Sequence, residues 1–318
     1  MGCLILSSFA AKSVGLLDFS FPSDTAYISE SDDSKGYRDI VLFRKKLVAV
    51  GTDGRIDNIT TSGEIVPVDH SFICKLNCAV ANDDIVIAAG DGGTILYSAD
   101  GKRFDRIESG IDKNIYCITS QNGLILAGTD KGVTLVSKDG KSWNSRKTGA
   151  KGNILSLSTN NTLSIGVTDA GEILKSFDGF KWEIKDYNKE YAGYNPYSNF
   201  KKISATQNSI VIIGSHKDGS PAVLFSSMGN VWVEREPFYY DDQDMICYLT
   251  GKPNDLTYDP IRNQFLLACD DGELFSLPTC IKCNKYTKIS EKNLHALITL
   301  DNCLCIVGDD FAVFIQRF

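Results

Sequence analysis

Three short stretches of the chain repeat one pattern: LYSADGKRF at 96–104, LVSKDGKSW at 135–143 and LKSFDGFKW at 174–182. Each stretch reads Ser-x-Asp-Gly-x-x-aromatic, and the copies follow one another about forty residues apart. Each is flanked by short runs rich in Ile, Val, Leu and Tyr, which favour β-strands. A period near forty in a strand-rich sequence is typical of a β-propeller or a β-solenoid.

A second repeat extends this period along the chain. Seven apolar runs end in a glycine or cysteine anchor; the anchors are Gly51, Gly90, Gly128, Gly166, Gly214, Cys269 and Gly308. The third copy divides into four strand-like pieces, NIYCITSQ, GLILAGTD, GVTLVSKD and SWNSRKT. Seven copies of four strands predict an all-β fold, a seven-bladed β-propeller of four-stranded antiparallel blades, formed by residues 1–318 as a single domain.

An inner-strand core position supports the alignment. Apolar or semi-apolar residues lie about eleven positions before each anchor; they are Ile40, Cys78, Cys117, Leu155, Ile203, Tyr258 and Leu297. Cys78 and Cys117 therefore stand where other copies have Ile or Leu. We interpret these thiols as small core hydrophobes rather than reactive groups.

The last copy ends after its third strand, at FAVFIQRF. A ring with an unpaired edge cannot close, so another segment must supply the missing strand. We expect residues 1–20, whose composition is apolar, to close the ring with the C-terminal blade.

The repeated motif is placed between the third and fourth strands of its copy and is predicted to be a hairpin turn. Its Asp accepts hydrogen bonds from turn amides, its Gly adopts positive φ, and its aromatic residue packs under the turn. The predicted structural-turn residues are Ser98, Asp100, Gly101 and Phe104; Ser137, Asp139, Gly140 and Trp143; and Ser176, Asp178, Gly179 and Trp182. We expect them to stabilise the fold and to have no catalytic role.

The three motifs resemble the Asp-box, or bacterial neuraminidase repeat. Asp-box propellers include sialidases, other glycosidases, sorting receptors and proteins similar to photosystem II assembly factors, and this chain looks most like the last group. The resemblance implies that the Asp-box turns lie far from any catalytic centre. Because fold alone does not determine activity, the function must be argued from a site.

The enzymatic alternative is a glycoside hydrolase. The Arg-Ile-Pro motif and the arginine pattern of sialidases are missing, and we interpret Arg38, on the first inner strand, as part of a surface or inter-blade ion pair. Aspartates follow the second strand of each copy: Asp53, Asp91, Asp130, Asp169, Asp218, Asp271 and Asp309. They could form a negative ring at the channel mouth, but Asp before a tight turn is ordinary hairpin chemistry. We therefore predict no catalytic residues.

A CxxC motif replaces the turn in the sixth copy, at Cys280 and Cys283, and Cys303 and Cys305 follow in the next copy. A zinc site would need all four thiols to converge. A single CxxC in a turn is more often two ordinary thiols or a redox-labile pair. We therefore predict no metal site and no cofactor.

The overall charge limits the class of partner. The formal net charge is −7, which disfavours nucleic acid, and the sequence contains no apolar stretch long enough to span a membrane. We expect a monomer that binds a protein or peptide, with carbohydrate as the alternative. Reduced core thiols favour the cytoplasm, although Asp-box relatives are often exported.

Two long inter-blade segments, residues 186–200 and 237–255, are expected on one face of the propeller at adjacent blades. Long loops often carry function, and tyrosine suits both protein interfaces and sugar stacking. The predicted binding residues are Tyr187, Tyr191, Tyr194, Tyr197, Tyr239, Tyr240, Asp241, Asp242, Asp244 and Tyr248. The alternative is that these tyrosines cover the blade joints of the propeller itself.

Overall fold

The computed structural model describes residues 35–60, 62–160, 162–190, 199–236, 238–278 and 285–317. These residues form a seven-bladed β-propeller of antiparallel sheets, as predicted. The two CxxC cysteines, Cys280 and Cys283, and the N-terminal residues 1–20 lie outside the described residues.

Each blade is a meander whose strands run in sequence from the channel outwards. Blade 1 is β1 (Tyr37–Phe43), β2 (Lys46–Gly51), β3 (Ile56–Ile59) and β4 (Ile65–Pro67). Blade 2 is β5 (Leu76–Ala81), β6 (Val86–Gly90), β7 (Ile95–Ser98) and β8 (Asp105–Ile107). Blade 3 is β9 (Ile115–Gln121), β10 (Leu124–Thr129), β11 (Val133–Ser137) and β12 (Asn144–Lys147). Blade 4 is β13 (Ile154–Thr159), β14 (Ser164–Thr168), β15 (Glu172–Ser176) and β16 (Glu183–Asp186).

The remaining blades follow the same order, with one insertion. A short helix, α1 (Tyr187–Glu190), follows blade 4. Blade 5 is β17 (Asn199–Ala205), β18 (Ile210–Ser215), β19 (Pro221–Ser226) and β20 (Val233–Glu234). A separate hairpin of β21 (Phe238–Tyr240) and β22 (Ile246–Tyr248) precedes blade 6, which is β23 (Pro253–Asp259), β24 (Gln264–Cys269), β25 (Glu273–Pro278) and β26 (Lys285–Lys288). Blade 7 has three strands among the described residues: β27 (Leu294–Leu300), β28 (Cys303–Gly308) and β29 (Val313–Arg317).

Burial explains why the second strands are uniformly apolar. Both faces of a blade pack against neighbouring blades, so a second strand such as β6, VIAAG, is buried along its whole length. The outer strand β12, NSRK, lies at the rim and is exposed throughout. The gradient from apolar to polar therefore follows the distance of each strand from the channel.

The hydrophobic core is divided into seven clusters, one for each joint between neighbouring blades. The joint between blades 7 and 1 joins Tyr37 and Ile40 to Ala296 and Val307. One isolated antiparallel β-bridge, between Gly36 and Asp309, supports the same joint. This joint is thus packed by described residues, and the closing strand expected from residues 1–20 stays a prediction.

Every inner strand carries one bulge near its beginning. The pairing register shifts at the second or third residue of all seven inner strands, for example between Leu76 and Cys78. The residue at the bulge lies opposite no partner on the second strand. Each blade therefore places one bulge residue at the same end of the central channel, which gives seven equivalent positions.

The observed register corrects the predicted anchor in two blades and the predicted core position in four. The inner-strand residue just before the bulge pairs with one residue of the second strand. That second-strand residue is Gly90 in blade 2, but it is Thr129 in blade 3 and Thr168 in blade 4. The anchors Gly128 and Gly166 were thus one and two positions out of register. The core position aligned with Ile40 is correspondingly Ala79, Ile118, Leu157 and Leu256, and not Cys78, Cys117, Leu155 and Tyr258.

The three Ser-x-Asp-Gly turns have one geometry and lie between the third and fourth strands. In blade 3, Asp139 Oδ1 accepts hydrogen bonds from the amides of Lys141 and Ser142, both at 2.8 Å. The amide of Gly140, at φ 73°, donates to Ser137 Oγ at 2.9 Å. The turns at Asp100 and Asp178 repeat these bonds. All three carboxylates accept hydrogen bonds from backbone amides, and these bonds hold the pKa values of the carboxylates below the usual range.

Candidate binding face and channel mouth

The two ends of the propeller carry different features. We call the end where inner strands begin the top face, and the opposite end, which carries the Ser-x-Asp-Gly turns, the bottom face. Both long inter-blade segments connect an outer strand to the next inner strand, and so both belong to the top face.

The hairpin of β21 and β22 has two sides of different character. Tyr239 pairs with Cys247 and faces blade 6, where its ring lies 6.2 Å from that of Phe275. The other side is formed by Phe238, Tyr240, Ile246 and Tyr248, which pair directly across the two strands. We call these four residues the hairpin face.

Three of the four residues of the hairpin face are solvent-exposed, and Phe238 is half-buried. The exposed fractions are 45% for Tyr240, 53% for Ile246 and 55% for Tyr248, and Met245 beside the turn is 62% exposed. A group of large exposed apolar residues on one side of a short hairpin is typical of an interaction surface. Phe238 and Tyr240 stack edge to face at 6.0 Å, which orders this surface before any partner arrives.

The acidic residues of this hairpin form its turn. Asp241 Oδ1 accepts hydrogen bonds from the amides of Gln243 and Met245, both at 2.9 Å. These bonds lower the pKa of Asp241. Asp242 and Asp244 are exposed beside it, so the tip of the hairpin is negatively charged.

The other predicted tyrosines divide into two groups. Tyr187, in α1, is only 4% exposed, and its ring packs against Phe200 of blade 5 at 5.5 Å. It supports the joint between blades 4 and 5 and is not part of the exposed surface. Tyr191, Tyr194 and Tyr197 lie outside the described residues.

The seven bulge residues surround the channel mouth at the top face. They are Arg38, Asn77, Tyr116, Leu155, Lys201, Asn254 and His295. Six of the seven are polar, and none of the seven carries a carboxylate. We call this set the mouth ring.

Carboxylates behind the mouth ring hold several of its members. Asn77 donates to Asp91 at 2.8 Å, and the Tyr116 hydroxyl donates to Asp130 at 2.6 Å. Asn254 and His295 donate in the same way to Asp270, at 2.6 Å, and to Asp309, at 2.5 Å. Each of these aspartates follows the second strand of its own blade.

The aspartate set predicted from the sequence is correct at some blades and wrong at others. Asp91, Asp130, Asp169 and Asp309 occupy equivalent places. Blade 6 supplies Asp270 and not Asp271, and blade 1 supplies Thr52 and not Asp53, because Asp53 and Asp271 are the next turn residues at φ 55° and 56°. In blade 5 the equivalent residue is Ser215, the last of the second strand; His216 follows it, and Asp218 lies in an exposed turn.

Cationic groups are concentrated on one arc of the mouth ring, from blade 5 through blade 7 to blade 1. Lys201 donates to Asn254, and Arg38 contacts the imidazole of His295. Arg38 also forms an ion pair with Asp309 of blade 7 at 3.6 Å. The inter-blade role expected for Arg38 is therefore confirmed.

A second ring lies one residue deeper in the channel. It contains Asp39, Cys78, Cys117, Ser156, Lys202, Asp255 and Ala296. Lys202 Nζ lies 2.7 Å from Asp255 Oδ1, and its charge also acts on Asp39. Burial raises the pKa of Asp39 to about 6, although the Lys202 ammonium opposes this shift.

The described cysteines are structural thiols. Burial raises the pKa values of Cys78, Cys117, Cys269 and Cys305, so their thiols stay protonated and unreactive at neutral pH. Cys303 and Cys305 lie on β28, the second strand of blade 7, and both are buried. Within the described ranges, no group of three or more His, Cys, Asp or Glu side chains could hold a metal ion.

The channel mouth and the bulges that create it were missed by the sequence analysis. Arg38 was noted, but its six ring partners were not grouped with it. A signal was present, since Asp91, Asp130 and Asp169 recur at equal spacing and align the three blades in their true register. The two strands of the hairpin were also assigned to a loop.

Comparison with known proteins places the fold in a family. The profile of the DUF6242 beta propeller domain matches residues 75–271. No curated protein matches the chain. Among the helices of the described residues, none is both long and apolar enough to cross a membrane.

Solved propellers share the architecture at low sequence identity. A YCF48 structure bound to a D1 peptide has a TM-score of 0.68 and 15% identity, covering 94% of this chain and 99% of that chain. YCF48 from Cyanidioschyzon merolae has a TM-score of 0.65 and 14% identity over 90% and 96% of the two chains. The WD40 beta propeller domain of Doa1 has a TM-score of 0.66 and 12% identity over 90% and 94%. These likenesses show the fold alone.

Proposed function

The chain belongs to the DUF6242 beta propeller domain family, and from this premise we propose that it is a non-catalytic binding module that docks a protein or peptide on its top face. The observation that carries the proposal is the hairpin face. It is an inserted two-stranded element between blades 5 and 6, and it forms a sheet separate from the blade sheets.

Exposure and chemistry support a peptide or protein partner. Tyr240, Ile246 and Tyr248 are each about half exposed or more, and aromatic side chains on an ordered scaffold are the usual anchors of protein interfaces. A solved fold relative carries a D1 peptide, which shows that this architecture is compatible with peptide binding. The negative tip at Asp242 and Asp244 favours a partner that carries basic residues beside its apolar ones.

The residues of the described mouth do not favour a glycosidase. A glycosidase needs two carboxyl groups that face one bond from opposite sides. The mouth carboxylates instead accept hydrogen bonds from their own blades, as Asp130 does from Tyr116 at 2.6 Å. The Asp-box resemblance is kept as an interpretation of the three bottom-face turns, and no activity is based on it.

A selection experiment tests the proposed function. The full chain is immobilised, random peptides displayed with free C-termini are selected on it, and the dissociation constants of the best peptides are measured. We expect Tyr240→Ser combined with Tyr248→Ser to weaken binding at least tenfold, because the anchors are lost while the blades are untouched.

The matched control removes exposed apolar residues from the bottom face. Phe177 and Val231 are both 71% exposed, and each lies next to a turn between third and fourth strands. Phe177→Ser with Val231→Ser should leave the affinity unchanged. Equal binding by the hairpin variant, or a loss in the control alone, would contradict the proposal, as would a glycan that the protein hydrolyses.

A further inference from the structure

The mouth ring places hydrogen-bond donors and positive charge at the top-face end of the central channel. Its polar members are an arginine, a lysine, a histidine, a tyrosine and two asparagines. A repeated bulge places all of them at one level of the channel. The arrangement is therefore built by the fold and is not an accident of surface side chains.

The positive groups of the ring are connected by contacts. Lys201 donates to Asn254 Oδ1, and Asn254 Nδ2 donates to the carbonyl of Leu294 at 2.9 Å. The next residue, His295, contacts Arg38. Lys201 and Arg38 thus stand at the two ends of one continuous arc of blades 5, 6, 7 and 1.

The carboxylates nearest this arc are already engaged by the protein. Asp270 accepts from Asn254 at 2.6 Å, and Asp309 accepts from His295 at 2.5 Å. Asp255, one level deeper, pairs with Lys202 at 2.7 Å. The acids therefore lie behind or below the arc, and the side chains that face the opening are donors.

The positive charges of the arc act on one another. Burial lowers the pKa of Lys201, and the Arg38 charge adds to this effect although Asp270 opposes it. The pKa of His295 is also lowered, first by burial and then by Arg38 and Lys201, against the pull of Asp309. Cationic groups held close together in a confined opening gain stability when an anion enters.

We propose that the channel mouth binds a carboxylate of the docked partner between Lys201 and Arg38. This inference rests on the proposed function, since the same top face would hold the rest of the partner. We assign the carboxylate to a free peptide C-terminus, because a chain end can enter a narrow opening that is lined on all sides. Guanidinium and ammonium groups are the usual binders of such a carboxylate.

The hairpin face and the mouth are close enough for one peptide to reach both. Tyr248 at the end of β22 is joined to Asn254 of the mouth ring by a short segment. Six residues span at most about 20 Å. A peptide of about six extended residues can therefore contact the hairpin face and place its C-terminus at the mouth.

The test uses the peptides selected on the full chain with free C-termini. Each is synthesised as the free acid and as the C-terminal amide, and dissociation constants are measured for the wild type, Lys201→Gln and Arg38→Gln. We expect the free acid to bind at least tenfold more tightly than the amide, and each substitution to remove most of this difference. Arg38→Lys, which keeps the charge, should retain part of it.

Matched controls separate the mouth from general charge. Lys102 and Arg103 are exposed on the bottom face, in the turn between β7 and β8, so Lys102→Gln and Arg103→Gln should change neither affinity. Thermal unfolding of every variant checks that the ring is intact. If Arg38→Gln unfolds, Lys201→Gln still decides the result, because among the described residues the Lys201 ammonium donates a side-chain hydrogen bond to Asn254 alone.

The outcomes separate this inference from the proposed function. Peptides that bind equally as amides, but lose affinity when an internal Asp or Glu is made neutral, overturn the assignment to a chain end, because the carboxylate then comes from a side chain. Binding that depends on Tyr240 and Tyr248 but on no carboxylate, or not on Lys201 and Arg38, overturns the inference and leaves the function standing. A library that yields no binder contradicts both.

Discussion

The carboxylate of Asp39 in blade 1 accepts a hydrogen bond from the backbone amide of Ala79 in blade 2, at 2.8 Å. Residues at the same ring position repeat this link elsewhere. Asp255 accepts from the amide of Leu297 at 2.9 Å, and Ser156 Oγ accepts from the amide of Ile203 at 3.2 Å. The second ring of the channel thus ties neighbouring inner strands together below the mouth ring.

Removing one of these links should destabilise the propeller. Asp255→Ala leaves the Leu297 amide without its acceptor and Lys202 without its carboxylate. We expect the free energy of unfolding to fall by about 1–3 kcal/mol, as for other buried hydrogen-bonding groups that lose a partner. Chemical denaturation measures this change. Asp242→Ala, at an exposed position of the hairpin, should change stability by less than about 0.5 kcal/mol, and equal effects of the two substitutions would contradict the role of Asp255.

The titration of Asp39 should appear as a pH-dependent difference in stability. Its pKa is raised from 3.8 to about 6, mainly by burial. Since the folded state binds this proton more tightly than the unfolded state, the group favours folding at low pH, and that contribution is lost as the pH rises from about 4 to about 6. Asp39→Asn keeps an oxygen acceptor for the Ala79 amide but does not titrate.

The measurement compares wild type and Asp39→Asn by denaturation at several pH values. The stability of the variant relative to the wild type should increase between about pH 4 and pH 6 and then stay constant. Carboxyls with lowered pKa values, such as Asp139, contribute equally to both proteins and cancel. A difference that does not change with pH would contradict the shifted pKa.

The backbone of Gly90 lies so close to that of Lys75, just before the inner strand of blade 2, that position 90 should tolerate no side chain. A Cβ at Gly90 would lie 1.9 Å from the carbonyl oxygen of Lys75. We expect Gly90→Ala to cost at least about 3 kcal/mol, because backbone must move to relieve the overlap. Gly92 has positive φ but open space around it, so Gly92→Ala should cost only the conformational strain, about 1–2 kcal/mol. Thermal unfolding compares the two variants. A Gly90→Ala protein as stable as Gly92→Ala would contradict the close approach of Gly90 to Lys75.

Two neighbouring tyrosines should separate structural from binding roles. Tyr239 packs against Phe275 of blade 6, whereas Tyr240 is 45% exposed on the hairpin face. We expect Tyr239→Ala to reduce stability by about 1–2 kcal/mol, less than a fully buried aromatic residue, and Tyr240→Ala to change it by less than about 0.5 kcal/mol. Tyr240→Ala should weaken peptide binding more than Tyr239→Ala does. A large stability loss in Tyr240→Ala would show that the hairpin face is covered within the propeller itself.

The sequence carried enough information for the fold but not for the mouth. The period of about forty residues and the turn at Asp139 are local features, so they could be recognised directly. The bulges could not be recognised in this way. A bulge inserts one extra residue, which interrupts the alternation of buried and exposed side chains from which strands are predicted. Gly128 and Gly166 were taken as the anchors of blades 3 and 4, although these blades use Thr129 and Thr168 at that position.

The top face was predicted only in part for a similar reason. Residues 237–255 were predicted to be a binding segment, but Tyr239 and Tyr240 could not be distinguished without knowing which side of a hairpin faces blade 6. Tyr187 was grouped with them on composition, and only the packing against Phe200 shows that it belongs to a blade joint. Tertiary contact, which composition does not report, decides these roles.

Hydrogen–deuterium exchange of the full chain, with and without a selected peptide, tests the binding account most directly. The account predicts protection in residues 238–248 and in the inner-strand starts that carry Lys201 and Asn254, with no change in the bottom-face turns at Asp100, Asp139 and Asp178. Protection confined to those turns or to the outer strands, with the hairpin unchanged, would contradict it.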